Sequence, residues 1–271
     1  MKREDSGIDI TFVAGDTQKA QKAYKTYTQK YGNCPIKSAN VIVTLGGDGF
    51  MVRAMKEYMD RNIPIYGINK GTAGFLSNEP KVAGLKQRIK KAVSIVMQPL
   101  KMRARDRHTR KITEAYAMNE VLAFRHSNQL IRTIIHIDSE QLMDLYADGI
   151  LVSTPQGSTA YNASAGGIVL PVTANALAVT GVNPYKPRPV RGLVGDDKKV
   201  ILKVMDPKRR PVEAVVDGKT VVKEVSSLEV TKEKTKAVTL LFDPHHDLER
   251  RMLDEQFPRR HEGIIKSHRV R

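Results

Sequence analysis

The chain has 271 residues, and its 45 Lys and Arg outnumber 29 Asp and Glu to give a formal net charge of +16. That length holds one large domain or two modest ones, and 41% apolar residues place it well above the disordered range. The charge reads either as a solvated basic surface or as a match to a phosphate-rich partner, but six Phe, nine Tyr and no Trp offer too few stacking platforms for the usual RNA modules, so nucleic acid is not expected as the main partner.

In chain order, "IDITFVAG" (8–15) reads as a buried strand ending at a turn. The following "DTQKAQKAYKTYTQKYG" sets Ala20, Ala23, Tyr24, Tyr27 and Tyr31 on one helical stripe, with Asp16 or Thr17 as N-cap and Gly32 closing it. "NVIVTL" is the second strand. After Gly49, the residues Phe50, Met51, Ala54, Met55, Tyr58 and Met59 return at helical spacing. "IPIYGIN" (63–69) is the third strand, and Asn78-Glu79-Pro80 signals a helix with Val82, Leu85, Ile89, Val93 and Val96 as its stripe. Near-continuous apolar strands alternating with helices predict an α/β domain over 1–97, built on a Rossmann-like parallel sheet covered on both faces.

Beyond Met97 the texture changes. "LKMRARDRHTRKITEAYAMNEVLAFR", "IRTIIHID", "QLMDLYADGILVSTP", "KVILKVM", "PVEAVVDG" and "KAVTLLF" are strand-like and separated by polar turns. They predict a β-rich domain of antiparallel sheets over 98–244. The charged stretch 245–271 reads as a surface helix, a frayed tail, or a segment packing back on the first domain.

One turn carries chemistry. In "VIVTLGGDGFMVRAM" (41–55), Gly46, Gly47 and Gly49 surround Asp48 where a strand hands over to a helix. Helix N-termini at the carboxyl ends of parallel strands favour anions, and glycines permit positive φ and close approach of backbone N–H groups to phosphate. Neither G-x-G-x-x-G at this turn nor G-x-x-x-x-G-K-[ST] anywhere is present, so the turn is a phosphate cradle of another kind, containing an acid. Asp48 is then either a helix cap or a group that takes a proton from an attacking hydroxyl or holds a metal on the phosphates.

A second constellation, "YADGILVSTPQGSTAYNASAGG" (146–167), is too dense in small and polar residues for an ordinary core segment. It offers hydroxyls, an amide, a tight turn at 155–157, and Ser158 and Thr159 as the start of a helix containing Tyr161 and Ser164. Small residues admit a flat ligand and polar ones orient it.

The single cysteine, Cys34, excludes an internal disulfide, and scattered histidines make a protein-built metal site improbable. With no apolar leader and no run of about 20 apolar residues, the expectation is a soluble cytoplasmic protein with no membrane partner.

"GGDG", "MNE" (118–120), "ADGILVSTPQGSTAYNASAGG" and "VDGK" (216–219), in this order and spacing, resemble the NAD kinase family. The likeness covers most of the chain. The 148–167 block is specific, whereas lipid kinases and phosphofructokinases share GGDG. The resemblance implies an active site in a cleft between the two domains, a homodimer or homotetramer, and NAD and ATP as substrates. It implies transfer of the terminal phosphate of ATP, or of polyphosphate, to the 2′-hydroxyl of the adenosine ribose of NAD. Asp48 matches the catalytic base and Gly49 approaches the dinucleotide beside it. Arg53 matches a position that reaches phosphate, and Phe75 an aromatic near the adenine. Asn119 and Glu120 match the pair that grips the ribose hydroxyls. Tyr146 and Asp148 match positions near the nicotinamide, with Asp148 contributed by a neighbouring subunit. Thr159, Ala160, Tyr161, Asn162, Ala163 and Ser164 match the adenine-binding run. Mg²⁺ is expected, held mainly by the phosphate donor. Gln156, Phe50 and Lys219 depart from the family pattern. A non-catalytic NAD(P) sensor and a basic nucleic-acid-binding protein are the alternatives from another class.

Overall fold

The computed structural model describes residues 7–72, 74–244 and 248–256. Strand β1 (Ile10–Ala14) leads into helix α1 (Gln18–Tyr31). Thr17 caps α1, its hydroxyl accepting the Ala20 N–H at 3.2 Å, and Gly32 ends it at φ 78°. Strand β2 (Val41–Gly46), helix α2 (Asp48–Tyr58) and strand β3 (Ile65–Asn69) complete the alternation. The three strands pair in parallel, with Val43 opposite both Phe12 and Tyr66. Alternate residues face opposite sides: Ile10, Phe12, Val41 and Val43 pack with Tyr27 of α1, while Ile42 and Ile65 pack with Met51, Val52 and Met55 of α2.

The helix expected from Asn78 begins later. Helix α3 spans Leu85–Lys91, and Val93 and Val96 lie on strand β4 (Val93–Met97), 55% and 63% exposed. Asn78 is no cap because its amide is taken up inside the fold. Its Nδ2 donates to the carbonyls of Gly67 and Leu241, and its Oδ1 accepts the Asp243 N–H.

The β-rich half begins with β5 (Leu100–Asp106), β6 (Ile112–Ala117), β7 (Glu120–Arg125), β8 (Ile131–Ile137), β9 (Glu140–Ala147) and β10 (Gly149–Ser153). A one-turn helix α4 (Tyr161–Ser164) is followed by β11 (Ala176–Val182), β12 (Arg191–Gly195) and β13 (Val200–Met205). Then come β14 (Val212–Val216), β15 (Lys219–Val222) and β16 (Val225–Lys232). These strands form two six-stranded antiparallel sheets, ordered β12-β11-β10-β7-β14-β15 and β6-β5-β16-β13-β8-β9. Val121, Ile150 and Ala214 from one sheet share a buried core with Leu100, Ile135 and Leu202 from the other.

"KAVTLLF" does not join them. Strand β17 (Val238–Phe242) returns to the first sheet, between β3 and β4, parallel to β3 and antiparallel to β4. Val238, Leu240 and Phe242 enter the cluster that holds α2, and Leu241 packs on the opposite face, so the strand is apolar on both sides as a central position requires. Helix α5 (Leu248–Gln256) then lies against the first unit: Leu248 enters its core and Arg251 donates to the Gly74 carbonyl at 2.8 Å. The rest of the 245–271 expectation falls outside the described residues. Among the described residues no helix is long and apolar enough to cross a membrane.

Candidate active site

The glycine turn sits where expected, but for a different local reason. None of Gly46, Gly47 and Gly49 has a positive φ. Their value is the missing side chain: a Cβ on Gly46 would come within 2.6 Å of the Phe50 ring, and one on Gly47 within 3.3 Å of Gly71 Cα. Gly49 faces open space. Phe50, a departure from the family pattern, thus fills the room over Gly46 and Gly15. Arg53 is exposed and lies over the Phe50 ring, 5.6 Å from its centroid.

Asp48 is the first residue of α2 and is half-buried. Its Oδ2 accepts the N–H groups of Gly74 and Phe75 at 3.1 and 2.8 Å, and its Oδ1 that of Leu76 at 3.1 Å. A carboxylate has about four acceptor positions, so room for a further donor remains. The same contacts place Phe75 beside Asp48, with its ring packed against the cluster that contains Leu76 and Met51.

The "MNE" turn is held by the same device. Asp217 Oδ2 accepts the Met118 N–H at 3.0 Å, and its Oδ1 accepts those of Asn119 and Glu120 at 2.8 and 3.3 Å. Asp217 can do so because it sits with Gly218 in the two-residue turn between β14 and β15, at φ 47° and 76°. Sequence reading quoted "VDGK" but assigned Asp217 no role; the signal was the Asp-Gly pair closing a strand. Thr154 Oγ1 donates to the Met118 carbonyl at 2.7 Å, and Gln156 Nε2 to the same carbonyl at 2.8 Å. The unusual Gln156 therefore braces this turn. Nothing in the structure explains Lys219.

Asn119 Oδ1 and Glu120 Oε2 are buried with no hydrogen-bond partner. Burial foremost, and the Asp217 charge second, push the Glu120 carboxyl up to about 7. Two adjacent acceptors without donors suit a ligand that brings hydroxyls.

The two turns meet. Met118 is fully buried in the cluster that also holds Met51 and Val52 of α2 and Leu76. Lys56, also on α2, lies 3.1 Å from Asp217 Oδ2. Helix α2, which begins at Asp48, thereby reaches the turn that carries Asn119 and Glu120 through Lys56.

Other expected residues go elsewhere. Asn162 is fully buried, and its amide is engaged by Ser158, Ile168 and Thr180, so its side chain supports the loop and is not open to a ligand. Ser158 likewise is no helix cap; its hydroxyl donates to Pro155 and accepts from Leu170. Thr159, Ala160 and Ala163 are half-buried, while Tyr161 and Ser164 are exposed. Asp148 is paired with Arg125 at 2.8 Å and accepts from Asn183, and Tyr146 lies beneath Arg132 and Arg210. These two residues stand at the opposite end of β10 from Ser153, which pairs with Glu120. Five residues at about 3.3 Å each separate Asp148 from that turn by ~16 Å, and Tyr146 lies farther back, on β9.

Among the described residues no group of three or more His, Cys, Asp or Glu could hold a metal ion. A groove of about 610 Å³ on the first unit, lined by Lys81, Arg88, Lys91, Asp243 and Arg251, includes none of the expected site residues.

Comparison with known proteins shows the family and the fold. Residues 3–121 match the model of the ATP-NAD kinase N-terminal domain, and residues 118–241 that of the ATP-NAD kinase C-terminal domain. An NAD kinase of Mesorhizobium japonicum is 41% identical over 250 residues, which cover 92% of this chain and 96% of the relative. The fold matches a crystal structure of yeast NADH kinase complexed with NADH at a TM-score of 0.82, with 18% identity over 98% of this chain and 95% of the other. It also matches an NAD kinase from Archaeoglobus fulgidus in complex with ATP at a TM-score of 0.70, with 20% identity over 91% and 97%. The chain belongs to the NAD kinase family.

Proposed function

We propose that this chain transfers the terminal phosphate of ATP, or of polyphosphate, to the 2′-hydroxyl of the adenosine ribose of NAD, giving NADP. The reading rests on two turns linked through α2: a half-buried Asp48 with room for another donor, and the buried acceptors Asn119 Oδ1 and Glu120 Oε2, which have no donor. A ribose diol supplies the missing hydroxyl donors. The 2′-oxygen forms the new bond to phosphorus, the bond to the leaving diphosphate breaks, and the hydroxyl proton passes to Asp48. A hydroxyl is far less acidic than a carboxylic acid, so the proton moves late in a loose transition state. The three N–H groups on Asp48 orient its carboxylate for that step.

The donor phosphates lie on the backbone of residues 46–49, with Arg53 one turn away. No protein cage for Mg²⁺ fits the described residues, and phosphate and water oxygens suit this ion. In this reading magnesium arrives with the donor. The adenine lies along Phe75 and residues 159–164, with Asn162 acting from behind. Asp148, ~16 Å from the Asn119 turn along β10, serves the nicotinamide end of a neighbouring copy with Tyr146 near it, which makes the active species a homodimer or homotetramer. Tyr185 and Leu193, 62% and 48% exposed, are apolar surface for that assembly. A cytoplasmic location fits these substrates and the free thiol of Cys34. NADP formation, followed with NAD or NADH against ATP or polyphosphate, tests the reading; no product from any pairing refutes it.

A further inference from the structure

Lys56 is eight residues beyond Asp48 on α2 and shares a face with Arg53, three positions earlier. The two cations have different fates. Arg53 is exposed over Phe50, whereas Lys56 reaches across the junction to Asp217 Oδ2 at 3.1 Å. The Lys56 side chain is 34% exposed and that of Asp217 5%. A half-open pair of this kind adds little stability, and the amides of residues 118–120 are already satisfied by Asp217 without it. Its consequence is geometric.

Helix α2 is a stiff rod about 16 Å long. Asp48 is fixed at its first turn, and Lys56 stands near the other end. Asp217 is fixed by its tight turn and holds the backbone that presents Asn119 and Glu120. Met118 shares one buried apolar cluster with Met51 and Val52 at the junction of the units, and apolar packing is not directional. The Lys56–Asp217 pair adds a polar fixing point beside it. In-line phosphoryl transfer loses rate steeply when the reacting groups shift by about 1 Å. We propose that Lys56 is a positioning residue: its ion pair with Asp217 sets the turn that holds the acceptor sugar in register with the base on the same helix.

The proposal rests on the NAD kinase reading, and the test separates the two. NADP formation, the NAD dissociation constant and thermal unfolding are measured for the wild type, Lys56→Met and Lys56→Arg. Lys56→Met lowers kcat tenfold or more, keeps the NAD dissociation constant within about threefold, and leaves the unfolding midpoint within about 2 °C. Lys56→Arg, which restores the cation, recovers kcat to within about threefold of the wild type. Wild-type kcat in Lys56→Met overturns the proposal. So does a loss matched by equally weakened NAD binding or a collapsed midpoint, because that marks plain structural support. If Lys56→Met does not fold, Lys56→Arg decides alone: a folded Lys56→Arg with wild-type kcat supports the pair, and one that has lost kcat refutes it. A wild type that forms no NADP removes the kinase reading and the positioning role together.

Discussion

Two aspartates in this molecule do the same thing to the backbone and differ in everything around it. Asp48 and Asp217 each accept three consecutive N–H groups, of residues 74–76 and 118–120. Asp48 is half-buried, stands at a helix N-terminus and faces no ion-pair partner among the described residues. Asp217 is nearly closed to water and carries Lys56. A carboxylate clamp is therefore not in itself a catalytic signature. What separates a base from a brace is whether solvent and substrate can still reach it.

The largest effect expected from that contrast is on turnover. Asp48→Asn loses at least tenfold in kcat, about 1.4 kcal/mol or more of transition-state stabilisation, in steady-state NADP assays. A smaller loss would make Asp48 a second brace. Next comes stability. Asp217→Ala strands backbone N–H groups in a closed turn and costs about 3 kcal/mol in urea unfolding. Asp48→Ala costs about 1 kcal/mol, because the half-buried Asp48 position lets water take the place of the lost carboxylate. Equal losses would erase the distinction. Third, Arg53→Ala raises the KM for ATP or NAD several-fold with an unchanged unfolding midpoint, since its guanidinium only rests on Phe50. An unchanged KM for both returns Arg53 to the surface.

The smallest effect is a slope. Glu120 has its carboxyl raised from about 4.5 to about 7, chiefly by burial. A raised carboxyl contributes stability that is full below its unfolded value and lost as pH climbs through the folded one. From pH 5 to pH 8 the wild type should thus lose stability relative to Glu120→Gln. Parallel melting curves across that range would show that the Asn119 turn is open to water.

Local physics made the first unit legible from Ile10 to Asn69. Thr17, Gly32 and the alternating apolar faces act within a few residues, and the glycine turn stands where strand hands over to helix. The 148–167 block named the family, yet its side chains divided in a way the string does not reveal. Asn162 turned inward because Thr180, 18 positions on, supplies a hydroxyl to its carbonyl oxygen. Asn78 misled for the same reason: its partners include Leu241, 163 positions away. Asp217 was visible only as a turn residue, since its partners 118–120 lie 97 to 99 positions earlier. Residues whose job is to satisfy distant backbone look, in sequence, like caps or ligands.

The return of β17 to the first sheet bears on how the chain is made. Among the described residues strand β4 has β17 as its sole neighbour in that sheet, and β3 lacks its β17 partner until that strand arrives. A ribosome adding about 5–20 residues per second needs roughly 7–30 s to travel from the end of β4 to the end of β17. Both sheets of the second unit lie wholly between β5 and β16, so they can pair during that interval. Maturation can then reverse the order of synthesis: the sandwich made later closes first, and the sheet whose strands were begun earlier is sealed only when β17 emerges.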